Sequence, residues 1–142
     1  MSQENIQLIR TIYDAFNSRD YETCLANFTD DMEWRSADNS PLADKSPYHG
    51  KDAIREGVFG RIAAGFEKLE VEIDEIFSAD GRIVVLGYYR GRMTGSAAES
   101  HTQVAHIWTV RDGKATKFQQ YVDTLAIYKN IQQMAAASKE SR

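Results

Sequence analysis

The sequence predicts one α+β domain in which a curved, mainly antiparallel sheet carries its helices on one face. Three observations predict it. Apolar residues recur at threes and fours in the first part of the chain and again at its end, whereas from Leu69 to Val122 the period is two. Turn residues punctuate that second regime as hairpins require. At 142 residues the chain is long enough for one core and short for two, and should bury on the order of 70% of its unfolded surface without staples.

Ile6, Ile9, Ile12, Tyr13 and Phe16 form the apolar stripe of a first helix that ends near Asn17-Ser18. Asp20 is placed to cap a second, short helix whose inner face is Tyr21, Leu25 and Phe28, before a polar turn at Thr29-Asp30-Asp31. Met32, Trp34 and Ser36 alternate with Glu33 and Arg35 as a strand, and the loop after it holds Pro41 and Pro47 and ends at Tyr48-His49-Gly50. Ile54, Val58, Ile62 and Phe66 then have helical spacing, but Gly57, Gly60 and Gly65 predict an irregular helix or a close backbone approach. Leu69, Val71 and Ile73 alternate with charges, and Ile76-Phe77 break the alternation, which predicts a bulge. Residues 83–93, 101–110 and 116–122 follow as strands, separated by Thr94-Gly95 and by Arg111-Asp112-Gly113-Lys114. Helical spacing resumes at Leu125, Tyr128, Ile131 and Met134. The expected organisation is one domain over residues 1–137 and a frayed polar tail over 138–142.

Composition narrows the function. Cys24 is the single cysteine and has no partner within the chain, and no Cys/His cluster has metal-ligand spacing, so neither disulfide nor metal is expected. The polar N-terminus and the lack of a long apolar run predict neither export nor a membrane span, and the expected location is cytoplasmic. A net charge of −4 with both signs interspersed lacks the concentrated basic face that nucleic acid needs. A curved sheet closed by helices leaves a cavity. Trp34, Tyr48, Phe59, Phe66, Tyr88, Tyr89, Trp108 and Phe118 offer more aromatic surface than a small core needs, which suits a pocket for a small, largely apolar molecule; core or interface packing is the alternative for each.

Four stretches carry a resemblance: Ile12-Tyr13-Asp14-Ala15-Phe16-Asn17-Ser18-Arg19-Asp20, Phe28-Thr29-Asp30-Asp31-Met32-Glu33-Trp34, His49-Gly50-Lys51-Asp52-Ala53-Ile54, and Arg111-Asp112-Gly113-Lys114 through Tyr121-Val122-Asp123. In that order they resemble the SnoaL-like and ketosteroid isomerase-like branches of the nuclear transport factor 2-like superfamily. The resemblance implies a cone-shaped α+β barrel of the cystatin-like kind, helices on the concave side of the sheet, no cofactor and a homodimer formed through the sheet. It does not carry over the known carboxylates. The isomerase tyrosine, base aspartate and protonated aspartate fall on Ile12, Ser36 and Ala105, with Tyr13 one position off. The epoxide hydrolase and cyclase branches place an aspartate where this chain has Gln120, and Arg90-Gly91-Arg92 replaces the hydrolase Arg-x-Asp pair. A glutamine orients a water or carbonyl but takes no proton at neutral pH.

The candidate proton carriers are Asp123, either a helix cap or an acid/base at the pocket mouth, and His106. The isomerase alignment turns Ala105 inward and His106 outward to a dimer contact; a shift of register would make His106 the acid/base. Trp34, Tyr48, Arg90, Gln120, Tyr13 and Phe59 are the expected substrate contacts, with Arg90 able to neutralise a carboxylate and Gln120 to recognise a carbonyl or hydroxyl. The function these residues imply is binding of a small apolar molecule. It is accompanied either by cofactor-free isomerase, cyclase or hydrolase chemistry on a carbonyl or hydroxyl compound, or by none, as in a ligand carrier. A protein-interaction module would instead fill its pocket with its own side chains.

Overall fold

The computed structural model describes residues 2–140. Helix α1 (Ser2–Asn17) buries Ile9, Ile12, Tyr13, Ala15 and Phe16 along the stripe the sequence predicts. The chain then turns through Arg19, which takes φ 60°, and α2 (Tyr21–Ala26) begins under Asp20, whose carboxylate accepts the Thr23 N–H at 3.2 Å and the Thr23 hydroxyl at 2.6 Å. Strand β1 (Phe28–Arg35) starts earlier than expected. Thr29, Asp30 and Asp31 belong to it rather than to a turn, because the pairing of β1 with the last strand shifts register between Phe28 and Glu33 and absorbs this polar stretch. The proline-containing loop ends in the short β2 (Tyr48–His49), antiparallel to β1.

The glycine-interrupted segment is irregular for a visible reason. It comprises α3 (Lys51–Ile54), one π-helical turn (Arg55–Phe59) and α4 (Gly60–Gly65). A Cβ at Gly57 would overlap the Tyr48 ring, so the missing side chain lets that ring lie on the helix backbone. Four long strands follow, β3 (Phe66–Ala79), β4 (Arg82–Met93), β5 (Glu99–Arg111) and β6 (Lys114–Val122), before α5 (Thr124–Glu140). Residues 141–142 of the expected polar tail lie outside the described residues.

The six strands form one sheet in the order β2-β1-β6-β5-β4-β3. All pairings are antiparallel except β1 with β6, which is parallel. The β3 bulge falls between Ile73 and Glu75, not at Ile76-Phe77. Gly87 explains its position: it pairs with Ile73, and a Cβ there would collide with the Glu72 carbonyl. The bend this permits curves the long hairpin around the helices. Two side chains fasten α1 and the turn after it to that hairpin and to the end of α4 through backbone groups alone. Asn17 accepts from Val71 N–H at 2.8 Å and donates to Val71 O at 3.0 Å, and the Arg19 guanidinium donates to Phe66 O and Ala63 O at 2.8 and 3.0 Å. The core lies between the helices and the concave face of the sheet, where Ile9, Phe28, Met32, Ile54, Phe59, Val85, Trp108 and Phe118 are buried.

Candidate functional site

The aromatic core does not close completely. A cavity of about 230 Å³ lies inside it, lined by Ile12, Tyr13 and Phe16 of α1, Trp34 of β1, Val58, Phe59, Arg61 and Ile62 of the irregular helix, and Phe66, Leu69 and Val71 of β3. The sheet adds Tyr89, Thr102, His106, Trp108, Phe118 and Gln120, and α5 adds Ile127, Asn130 and Ile131. Among the described residues no Asp, Glu or Lys lines it, and Arg61 is the one charged side chain that does.

Strand alternation selects the polar groups that reach this space. On β5 the inward residues are Thr102, Val104, His106 and Trp108, all buried. On β4 they are Ile83, Val85, Gly87 and Tyr89, and pairing sets Val85 beside His106 and His106 beside Gln120. Tyr13 reaches the same row from α1, across the cavity. Tyr13 Oη lies 2.5 Å from His106 Nδ1 with the two rings within 2° of parallel, and Tyr89 Oη lies 3.0 Å from Nε2. Trp108 Nε1 donates to Tyr13 Oη at 3.0 Å, Gln120 Nε2 donates to Tyr89 Oη at 2.8 Å, and Gln120 Oε1 accepts the Ala37 N–H at 3.1 Å.

Burial keeps this row uncharged. His106 is 2% exposed, and desolvation lowers its imidazole to about 3, so it is neutral at pH 7. Desolvation pushes the Tyr13 and Tyr89 phenols well upward, only partly offset by the bonds from Trp108 and Gln120. The Cys24 thiol, also on the cavity wall, is raised to about 12 by burial and is inert. The site can donate and accept hydrogen bonds in an apolar surround; among the described residues it has no carboxylate with which to take a proton at neutral pH.

Of the residues singled out in the sequence, Tyr13, Trp34, Phe59, His106 and Gln120 come together on the cavity, as do Ile12 and Ser36. Four expectations are corrected. His106 faces inward and Ala105 outward, opposite Tyr121, because the large neighbours Val104 and Trp108 share the His106 face and draw it into the core. Arg90 is on the opposite face of β4 from Tyr89, where it pairs with Glu72 at 2.9 Å and cannot meet a ligand in the cavity. Asp123 is exposed and accepts the Ala126 N–H at 3.1 Å, which makes it the cap of α5. Tyr48 is buried but stands behind the cavity wall over Gly57; its hydroxyl donates to Leu42 O at 2.7 Å. Sequence reasoning counted Tyr89 only among the pocket aromatics, not among the substrate contacts, and left out Arg61, which reaches the cavity while paired with Asp44 at 2.8 Å. The alternation Ile83-Val85-Gly87-Tyr89 was the available signal for the tyrosine.

Comparison with known proteins agrees with this architecture. A nuclear transport factor 2-like protein of unknown function from Burkholderia pseudomallei K96243 superposes with a TM-score of 0.81 at 28% identity, over 92% of this chain and 98% of that one. A nuclear transport factor 2-like protein from Burkholderia thailandensis E264 gives 0.79 at 25% identity, over 89% and 95%. TerC, co-crystallised with polyporic acid, gives 0.78 at 26% identity, over 91% and 98%. No curated protein matches the sequence. Residues 9–118, from the α1 stripe to the inward Phe118, match the SnoaL-like domain, and the chain therefore belongs to the SnoaL-like family of the nuclear transport factor 2-like superfamily.

Proposed function

We propose that this domain binds a small, largely apolar molecule bearing a carbonyl or hydroxyl oxygen, with the apolar part among the aromatic side chains and the oxygen on the tyrosine–histidine row. The observation that carries the reading is an aromatic cavity in which Tyr13, His106, Tyr89 and Gln120 form one hydrogen-bonded row of neutral groups. A dry apolar cavity of about 150 Å³ accepts benzene, so about 230 Å³ suits a skeleton of one to two rings. The Ser40 hydroxyl, buried on the cavity wall without a partner among the described residues, offers a second polar contact. That TerC was crystallised with polyporic acid supports the same ligand class for this scaffold.

Binding is favoured over catalysis by the same chemistry. Isomerase and hydrolase routes of this superfamily, as the resemblance implies them, need carboxylates that the cavity lacks, and an imidazole held near 3 is a weak base at neutral pH. The test is thermal unfolding with naphthalene and 1-naphthol. Both are expected to raise Tm, and Ile62→Trp, which fills the cavity, to abolish the rise. No rise with either probe at saturation would overturn the reading.

The proposal extends to assembly as a homodimer through the outer face of the sheet. Leu86, Ala105 and Tyr121 form one row across β4, β5 and β6 there, with Tyr121 55% exposed, and Arg82, Arg35 and Lys117 lie around it. Sedimentation is expected to give a dimer that Tyr121→Glu dissociates; a monomer at all concentrations would remove this part. Among the described residues no helix is long and apolar enough to cross a membrane.

A further inference from the structure

The polar row across the cavity holds one more hydroxyl proton than it can use. Its ends are fixed as donors. The Trp108 indole N–H accepts nothing and points at Tyr13 Oη. At the other end the main chain sets the orientation of the Gln120 amide: Ala37 N–H can only donate, so the atom facing it is Oε1, and Nε2 is left to donate to Tyr89. Between them His106 bridges the two phenols. A neutral imidazole has one N–H and one lone pair, so it donates to one phenol and accepts from the other. Five groups thus bring six protons to four contacts, one of the two surplus protons being the second N–H of the Gln120 amide. Whichever tautomer His106 adopts, one phenolic O–H finds no acceptor in the row.

The contact lengths identify it. N–H···O bonds run from about 2.7 to 3.2 Å, most often about 2.9–3.0 Å, and O–H donors make the shorter contacts. The 2.5 Å contact of Tyr13 with Nδ1 fits a donated hydroxyl, and the 3.0 Å contact of Nε2 with Tyr89 fits a donated N–H. Tyr13 then accepts from Trp108 and donates to His106. Tyr89 Oη receives two bonds, from Gln120 and His106, and its own proton has no acceptor among the described residues.

We propose that the bound molecule supplies that acceptor, as a ketone or quinone-type carbonyl oxygen seated on Tyr89 Oη. The proposal rests on the pocket being a binding site and names the group it selects. All the bonds run one way, from Trp108 through Tyr13 and His106 to Tyr89, with Gln120 adding a second donor. Each bond polarises the next, which makes Tyr89 a stronger donor than an isolated phenol. A ligand that offers only a donor, such as an ammonium, leaves the surplus hydroxyl proton unmatched and is discriminated against.

The experiment compares 1-tetralone with tetralin, which share a skeleton and differ in the carbonyl, on the full chain. Tyr89→Phe is expected to weaken 1-tetralone about tenfold while changing tetralin less than about twofold. On the unaltered protein, where folding is not in question, the carbonyl stretch of bound 1-tetralone should fall to lower frequency than in hexane. Nitrogen-15 spectra should show His106 protonated at Nε2. An unshifted carbonyl, or equal effects of Tyr89→Phe on both probes, overturns the acceptor proposal while leaving the pocket. A proton on Nδ1 overturns the assignment to Tyr89. Binding of neither probe overturns the pocket reading and this inference together.

Discussion

The two faces of one sheet carry the same kinds of side chain in opposite states. His106 and His101 are both on β5, yet the first is enclosed between two phenols, whereas the second is exposed, stacks on Tyr88 at 4.2 Å between ring centroids and lies 3.5 Å from Glu72. Tyr89 and Arg90 are neighbours in sequence, and one lines the cavity while the other pairs with Glu72 in solvent. What separates them is strand parity alone. On the concave face a polar group must find an internal partner, and the cost of failing is one to several kcal/mol; on the convex face water is the partner and a charge needs none. The chemistry of this protein is therefore decided by which parity each residue has.

The largest effect should come from emptying the concave face. Trp108 is 2% exposed and meets Tyr13, Trp34, Phe28 and Phe118. Trp108→Ala is expected to destabilise by about 3–5 kcal/mol in urea unfolding, since it leaves a void and takes away the donor to Tyr13. A loss under about 1 kcal/mol would mean that this wall rearranges freely and that the cavity is not preformed.

Next in size is a pH effect specific to His106. Its imidazole titrates at about 3 when folded and near 6.5 when unfolded. Between these values the unfolded chain binds a proton that the folded chain refuses. The stability tied to a neutral His106 is therefore complete above about pH 6.5 and falls with pH toward 3, by up to about 1.4 kcal/mol per unit. Carboxylates also titrate in this range, so the measurement is the difference between the wild type and His106→Gln across pH 7 to 4. It should shift steadily toward the variant on acidification. A constant difference would show that His106 is solvated, like its counterpart on the outer face.

Asp123 sharpens the comparison from the rim. As a cap it holds one N–H of α5, so Asp123→Ala should cost about 1 kcal/mol and leave 1-naphthol affinity unchanged. A selective loss of ligand affinity with unchanged stability would return Asp123 to the pocket mouth.

Much of this fold was legible because it is written in short range. The α1 stripe, the Asp20 cap, the glycine-disturbed helix and the Gly113 turn each depend on residues a few positions apart, and the structure contains all of them. The Asn17 to Asp20 stretch that carried the family resemblance acts structurally: Asn17 clamps Val71, Arg19 turns the chain and ties Phe66, and Asp20 caps α2. That explains why the resemblance located the fold well and the chemistry poorly. The site itself depends on parity and on distance in sequence. Tyr13 and His106 are 93 positions apart, and an alignment one residue out of step on β5 turns His106 to the wrong face. Local context held the correction. Val104 and Trp108 flank His106 on its own face, while Gln103 and Ala105 occupy the other, and bulk of that kind goes to the core.

The smallest expected effect is the cleanest discriminator of the two faces. Arg90 was attractive as a ligand contact because it could neutralise a carboxylate. Its side chain is 50% exposed, and its Glu72 partner is 40% exposed; such a pair is screened by solvent and contributes between nothing and about 1 kcal/mol. Arg90→Ala should therefore change stability by no more than about 0.5 kcal/mol, and that change should shrink in high salt. Affinity for 1-naphthol and 1-tetralone should be unaltered, since the sheet itself separates Arg90 from the cavity. If Arg90→Ala instead weakened either probe as Tyr89→Phe is expected to weaken 1-tetralone, adjacent residues of one strand would be serving one site, and the parity argument that assigns every group in the polar row would fail with it.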